Sequence, residues 1–345
     1  MTVATPLLRR TVALMLAGAA LAACATSQES DPGTTLTSTT STSSTSTTST
    51  TVAATTTEAP ATTAAETTTT AAPTTAAPVS TLPPGPTGDV FPLYIGDSSG
   101  ALTPLGTWDG GDWAAASDDE PLPESGREFT VSRLSGAVDG TVDGATEACP
   151  IDGRVGPTIS PDAGPAVPPE AGYNGVALPP PGWPLQPRRV AELDDDIPGY
   201  QELGEAAFDS ADVDATAGTI EQLVIADLDG DGNTEALVVF ERVQEAESGT
   251  PEATLGSPGD FSGVLLVDTA SRASTTVLSS IVLASDDEIS IEFLEQYRIL
   301  DVADYNGDGR MEIAVSAWYY EGAGVAVFSF NGGELDEVLA TGCGA

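Results

Sequence analysis

The chain has 345 residues, with 52 acidic side chains against 11 arginines and no lysine or histidine, which sets the formal net charge at −41. Such a surface repels nucleic acid and anionic polymers and draws divalent cations, although general acidity also serves solubility in salty surroundings. Without imidazole or amine side chains the chain cannot build a Ser-His-Asp triad, a histidine zinc site or a lysine Schiff base, so carboxylate chemistry is what remains.

Residues 1–24 read MTVATPLLRRTVALMLAGAALAAC. Two arginines precede an apolar run too short for a bilayer of about 30 Å, which predicts an export signal rather than a spanning helix. The end of this segment, Leu21-Ala22-Ala23-Cys24, resembles the bacterial lipobox. That resemblance implies a diacylated Cys24 at the mature N-terminus, hence a lipid-anchored, extracytoplasmic protein whose membrane contact is the lipid. The alternative is an ordinary secretory signal with an incidental cysteine. RRTVAL lacks the rest of a twin-arginine motif.

From 25 to 88 the chain is almost wholly Thr, Ser, Ala and Pro. It has too little apolar surface to offset chain entropy, so it reads as a disordered tether of about 40–45 Å mean span, either bare or O-glycosylated. Residues 89–345 hold 48 of the 52 acids and nine of the 11 arginines, a net charge of −39. That length supports a proper core. Within it, 89–215 is Gly/Pro-rich and reads as irregular and partly β, with strand-like pieces at FPLYIG and REFTVSRL. The stretch 137–153 carries Asp139, Asp143 and Asp152 at a spacing that matches no metal loop, and it reads as turns. The segment 177–190, with five prolines, reads as extended. Tyr200, Leu203, Ala207 and Phe208 then recur at helical spacing, with acids biased to the first turn, which predicts one short helix.

Residues 216–345 are β in character. TIEQLVIA, EALVVFERV, GVLLVD and STTVLSSIVL are followed by QYRILDVA, MEIAVSAWYY, GVAVFSF and ELDEVLA. The order is strand, acidic loop, strand, strand, strand, given twice, and it predicts a mainly β protein with two blade-like four-stranded antiparallel units. A closed propeller needs about 4–8 blades. Two units alone therefore suggest sheets packed face to face, with 89–215 covering an edge.

The loops are DLDGDGNTE (227–235) and DYNGDGRME (304–312). Positions 1, 3 and 5 place Asp227, Asp229 and Asp231 in the first, and Asp304, Asn306 and Asp308 in the second. Asn233 and Arg310, at position 7, differ in side chain and so offer their carbonyls. Glu235 and Glu312 close each set, and Gly232 and Gly309 allow the sharp bend. Hard oxygens in this number suit calcium better than magnesium, which keeps its water. An EF-hand needs a glutamate at position 12, where this chain has Val238 and Val315. D-x-D-G-D-G-x-x-E between strands resembles the calcium loop of the FG-GAP/VCBS repeat family. The resemblance implies two Ca2+ sites at these ten residues, in a fold that serves adhesion, lectin-like and enzymatic modules alike.

Cys149 and Cys343 form an even pair once Cys24 is lipidated, and an export compartment favours their disulfide over two buried thiols. The function expected is a surface-anchored calcium-binding lipoprotein with structural calcium, serving as a binding or envelope-associated module for an extracellular glycan or protein and not for nucleic acid. The competing expectation is a secreted carbohydrate-active hydrolase using paired carboxylates among 285–288, Glu292, Glu295 or Glu321, near the aromatics Trp318, Tyr319 and Tyr320. No catalytic residue is assigned.

Overall fold

The computed structural model describes residues 91–97, 101–117, 122–149, 154–161, 173–193, 199–209, 213–244, 256–283, 293–320 and 322–344. The expected signal with Cys24, the tether at 25–88, Asp152, and the candidate acids at 285–288, Glu292 and Glu321 lie outside the described residues.

Both acidic repeats fold as read. Strands β9 (Thr219–Ala226), β10 (Glu235–Arg242), β11 (Phe261–Asp268) and β12 (Ser274–Ile281) pair in sequence order as an antiparallel meander. So do β13 (Gln296–Ala303), β14 (Glu312–Tyr319), β15 (Gly322–Asn331) and β16 (Glu334–Gly344). The first meander gains a fifth strand, β8 (Val190–Leu193), which pairs with β9.

In the region read as irregular and partly β, the described residues are mostly sheet. Strands β1 (Phe91–Asp97), β2 (Leu102–Trp108), β3 (Trp113–Ala115), β4 (Glu128–Ser132), β5 (Val138–Cys149), β6 (Arg154–Pro161) and β7 (Tyr173–Leu178) form one sheet in the order β3-β2-β1-β7-β4-β5-β6. The stretch expected to be turns is thus largely β5, where Asp139 and Asp143 accept cross-strand hydrogen bonds from the hydroxyls of Thr130 (2.9 Å) and Thr158 (2.7 Å). Glycines and prolines hid these strands. Pro157 and Pro161 sit on the edge strand β6, Pro104 pairs beside a bulge, and β5 shifts register twice, so the period-2 pattern breaks wherever it starts. The sheet curls until β2 and β6 approach through an Ala101–Thr158 bridge, enclosing Tyr94, Leu102, Phe129, Val131, Val142 and Ala177.

Alternation along the strands explains the layering. In β14, Ile313 and Val315 face the first meander, meeting Val224, Leu237, Val239 and Val264, while Ala314 faces the curled sheet. Leu93, Ile95, Val176 and Leu178 of that curled sheet pack on Leu300, Ala303, Val325 and Val327. The four-stranded sheet is therefore the middle layer, apolar on both faces. The curled sheet covers a face of it, whereas the sequence reading had placed 89–215 over an edge. On the far side of the first meander lies helix α1 (Tyr200–Phe208), found where its spacing predicted. Phe208 stacks on Phe261 at 4.5 Å between ring centres, and Phe240 completes the cluster. The inner edge strand β13 has its free backbone groups met by side chains. Gln222 bonds both N–H and C=O of Ile299 (2.8 and 3.1 Å), and the Val302 carbonyl accepts from Gln186. Cys149 and Cys343 are joined as a disulfide, linking the end of β5 to the end of β16.

Candidate metal-binding loops

The loops join the first and second strands of each meander, and the hydrogen bonds donated by their backbone N–H groups to their own side chains are the same position for position. At position 1, Asp227 accepts from the N–H groups of Gly230 (2.7 Å) and Gly232 (3.2 Å), and Asp304 accepts from those of Gly307 (2.6 Å) and Gly309 (3.0 Å). At position 3, Asp229 accepts from Asp231 N–H, and Asn306 Oδ1 from Asp308 N–H. At position 5, Asp231 accepts from Asn233 N–H and Asp308 from Arg310 N–H, both at 2.7 Å. Position 9 reaches back to position 2, so Glu235 accepts from Leu228 N–H (3.0 Å) and Glu312 from Tyr305 N–H (2.9 Å). At position 1 both carboxylate oxygens accept backbone N–H groups, whereas the carboxylates at positions 5 and 9 each take one backbone N–H on a single oxygen.

The bend relies on two glycines per loop. Gly232 and Gly309, named from the sequence, have φ of 91° and 86°, and Gly230 and Gly307 at position 4 are as left-handed, at 80° and 75°. The second pair escaped the sequence reading, although the D-G-D-G spelling carried the signal.

The two loops differ in depth. In the first, Asp227 and Asp229 are half-buried and Asp231 is exposed, and one oxygen from each lies within 4.8 Å of the others. This is the one set of three metal-capable acids found among the described residues. Asn233 turns its side-chain amide onto Asp231 (2.9 Å), consistent with only its carbonyl being offered. In the second loop, Asp304, Asn306 and Glu312 are all at most 5 % exposed, while Asp308 and Arg310 face solvent. Asn306 also donates its amide to Glu312 Oε1 (3.2 Å). Burial pushes the Asp304 carboxyl up to about 6 against the opposing N–H donors of Gly309 and Gly307, with the negative Asp308 adding to the rise. Burial drives Glu312 well above its ordinary value, and Asp308 and Asp304 add to it. Glu235 is raised for the same reason, first by burial and then by Asp229, Asp231 and Asp227. These groups sit in surroundings that favour a neutral or cation-bound carboxyl. Below the second loop, the Tyr305 hydroxyl donates to fully buried Asp301 (3.0 Å), whose carboxyl burial raises to about 6.

A proline-rich strap, 179–189, crosses both loops and was missed as a site element. Trp183 Nε1 donates to the Asp304 carbonyl (2.8 Å), and Asp304 N–H donates to the Leu185 carbonyl (2.7 Å). Arg188 donates to the carbonyls of Asp227, of Leu228 (2.9 Å) and of Gly309 (2.7 Å). The loops also touch directly, through Met311 N–H to the Leu228 carbonyl (2.9 Å).

The aromatic stretch forms a rim. Phe293 and Tyr320, both exposed, stack at 6.0 Å, and Trp318 donates to Gln296. Glu295 accepts the Tyr297 hydroxyl (2.8 Å). Its suggested partner acids are outside the described residues, so no acid pair is assigned there.

The side-chain donors of the first loop are carboxylate oxygens, and Asp227, Asp229 and Asp231 bring one oxygen each close enough together to hold a metal ion. Comparison of the chain with protein-family models, curated proteins and solved structures gives no match.

Proposed function

We propose that this protein is an extracytoplasmic, lipid-anchored module whose β domain binds two calcium ions, one in each acidic loop, and presents its acidic surface to an extracellular glycan or protein. Asp227, Asp229, Asp231, the Asn233 carbonyl and Glu235 hold the first ion. Asp304, Asn306, Asp308, the Arg310 carbonyl and Glu312 hold the second. The carrying observation is the shared backbone hydrogen-bond frame of two loops 77 residues apart, together with the first loop's Asp227, Asp229 and Asp231, one oxygen of each within 4.8 Å of the others. Two carboxylates 4 Å apart repel by about 4 kcal/mol at an effective dielectric of 20, and a divalent ion reverses that sign. The ion's contribution is structural: it neutralises the loop and pins the two strands it joins. The FG-GAP/VCBS resemblance and the two blade-like meanders support the same reading, and the lipobox-like leader and long tether support the anchored location.

Thermal unfolding in calcium, magnesium or chelator tests it. Free ion at about 100 times the dissociation constant stabilises the folded state by about 2.7 kcal/mol per site, which shifts melting by roughly 5–10 °C in a domain of this size. The expected result is a calcium-specific rise; superimposable curves in all three conditions would falsify the assignment.

A further inference from the structure

The guanidinium of Arg188 sits between the two loops and bonds to both backbones. It donates to the Asp227 carbonyl, to the Leu228 carbonyl at 2.9 Å and to the Gly309 carbonyl at 2.7 Å, and its Nε lies 3.9 Å from Asp227 Oδ1. These carbonyls belong to positions 1 and 2 of the first loop and position 6 of the second. We propose that Arg188 is a positioning residue that couples the loops, so that an ion in either one raises the calcium affinity of the other. This rests on the calcium reading above.

The geometry supplies the means. An ion draws the carboxylates of its loop inward and orders the backbone that carries them. Two carbonyls of the first loop and one of the second face one planar, rigid donor fork, which has no internal torsion to absorb a shift. Ordering one loop therefore fixes the plane from which the other loop's carbonyl is held, and the second ion meets a loop with less freedom left to lose. Arg188 cannot drift to follow one loop alone. It leaves a strap secured on the second loop through Trp183 and Leu185. The Leu228 carbonyl gives a second link, since it accepts from Arg188 and from Met311 N–H together. A Cβ at Gly230 would lie 3.1 Å from the guanidinium, so the side chain rests against the turn itself.

Charge alone predicts something else. A cation between the loops competes with the metal, so removing it would strengthen binding at both loops, most at the first beside Asp227, without linking one to the other. Coupling is distinguished by its reciprocity: each loop changes the other by the same factor, of about 5-fold or more.

The test is calorimetric titration of the full chain with calcium chloride. It compares wild type, Asp231→Asn and Asp308→Asn, which each weaken one loop at an exposed ligand, with the same chains carrying Arg188→Met or Arg188→Lys. In the Arg188 background, weakening either loop should lower the affinity of the intact one by about 5-fold or more. In both the Met and Lys backgrounds that cross-effect should fall close to 1, because lysine keeps the charge and loses the fork. Melting without calcium checks the fold, and lysine remains informative if the methionine variant does not fold. A cross-effect of equal size with and without Arg188 overturns the coupling while two-site calcium binding stands. Binding at one loop only overturns the coupling as well. No calcium binding by the wild type overturns both readings.

Discussion

Glu241, on β10, lies against Glu221, Ser262 and the β13 residues Gln296 and Arg298, and burial raises its carboxyl from 4.5 to about 7, with negative Glu221 adding to the shift. The folded protein thus holds this proton more tightly than the unfolded chain. Its ionisation costs nothing below about pH 4.5, and stability falls as pH rises through the window up to about 7. Glu241→Gln should therefore leave melting near wild type at pH 4.5 and raise it at pH 8; a difference independent of pH would show that the site is not strained by charge. Asp304 carries the same sign at the second loop. Raised to about 6, it is protonated in the metal-free protein at lower pH, and calcium must displace that proton. Calcium affinity measured at pH 5 should be at least several-fold weaker than at pH 7.5, with proton release on binding at the lower pH. Gly307→Ala tests the backbone. A side chain at φ 75° costs about 1–2 kcal/mol. Melting should drop accordingly and calcium affinity should fall with it.

Among the elements, those that sequence reasoning found are those whose pattern is uninterrupted. Strands β10, β11, β13 and β14 announce themselves because two-sided burial turns them into apolar runs such as ALVVF and GVLLV, while the largely exposed β12 and β16 are legible from their place in the repeat. The bends of the loops were legible because alternating Asp and Gly residues spell a tight turn with left-handed glycines. The curled sheet was not, because bulges at Tyr94 and along β5 shift the alternation, and edge prolines mimic loops. Nor was the strap, since nothing local tells that Arg188 lies beside Gly309, 121 residues away. Contacts of that range are set by packing and leave no short signature. Helix α1 was found by its spacing, and its partner was not. Phe208 is 2 % exposed and stacked on Phe261, so Phe208→Ala should lower stability by about 3–5 kcal/mol, on the order of 10 °C in melting. Its effect on calcium affinity should be small, because α1 covers the face of the first meander that is turned away from the middle sheet.

At the scale of the molecule, three sheets share two apolar interfaces, and one covalent bond ties the curled sheet to the last strand of the middle one. Cys149–Cys343 closes a segment with a sequence separation of 194. In the chain-entropy model a loop of that length contributes roughly 5 kcal/mol. Cys149→Ser with Cys343→Ser should accordingly lower the melting temperature by about 10–20 °C while leaving the calcium-dependent increment in place; an unchanged midpoint would show that strain in the native bridge cancels the entropic gain. The same bond makes everything between the two cysteines a ring, and both acidic loops and both meanders lie on it. A protease that nicks this ring once, at any exposed bend, produces no fragments. The cut molecule migrates as one species until a reductant is added and then separates into two, so a single proteolytic cut can leave the assembly physically whole.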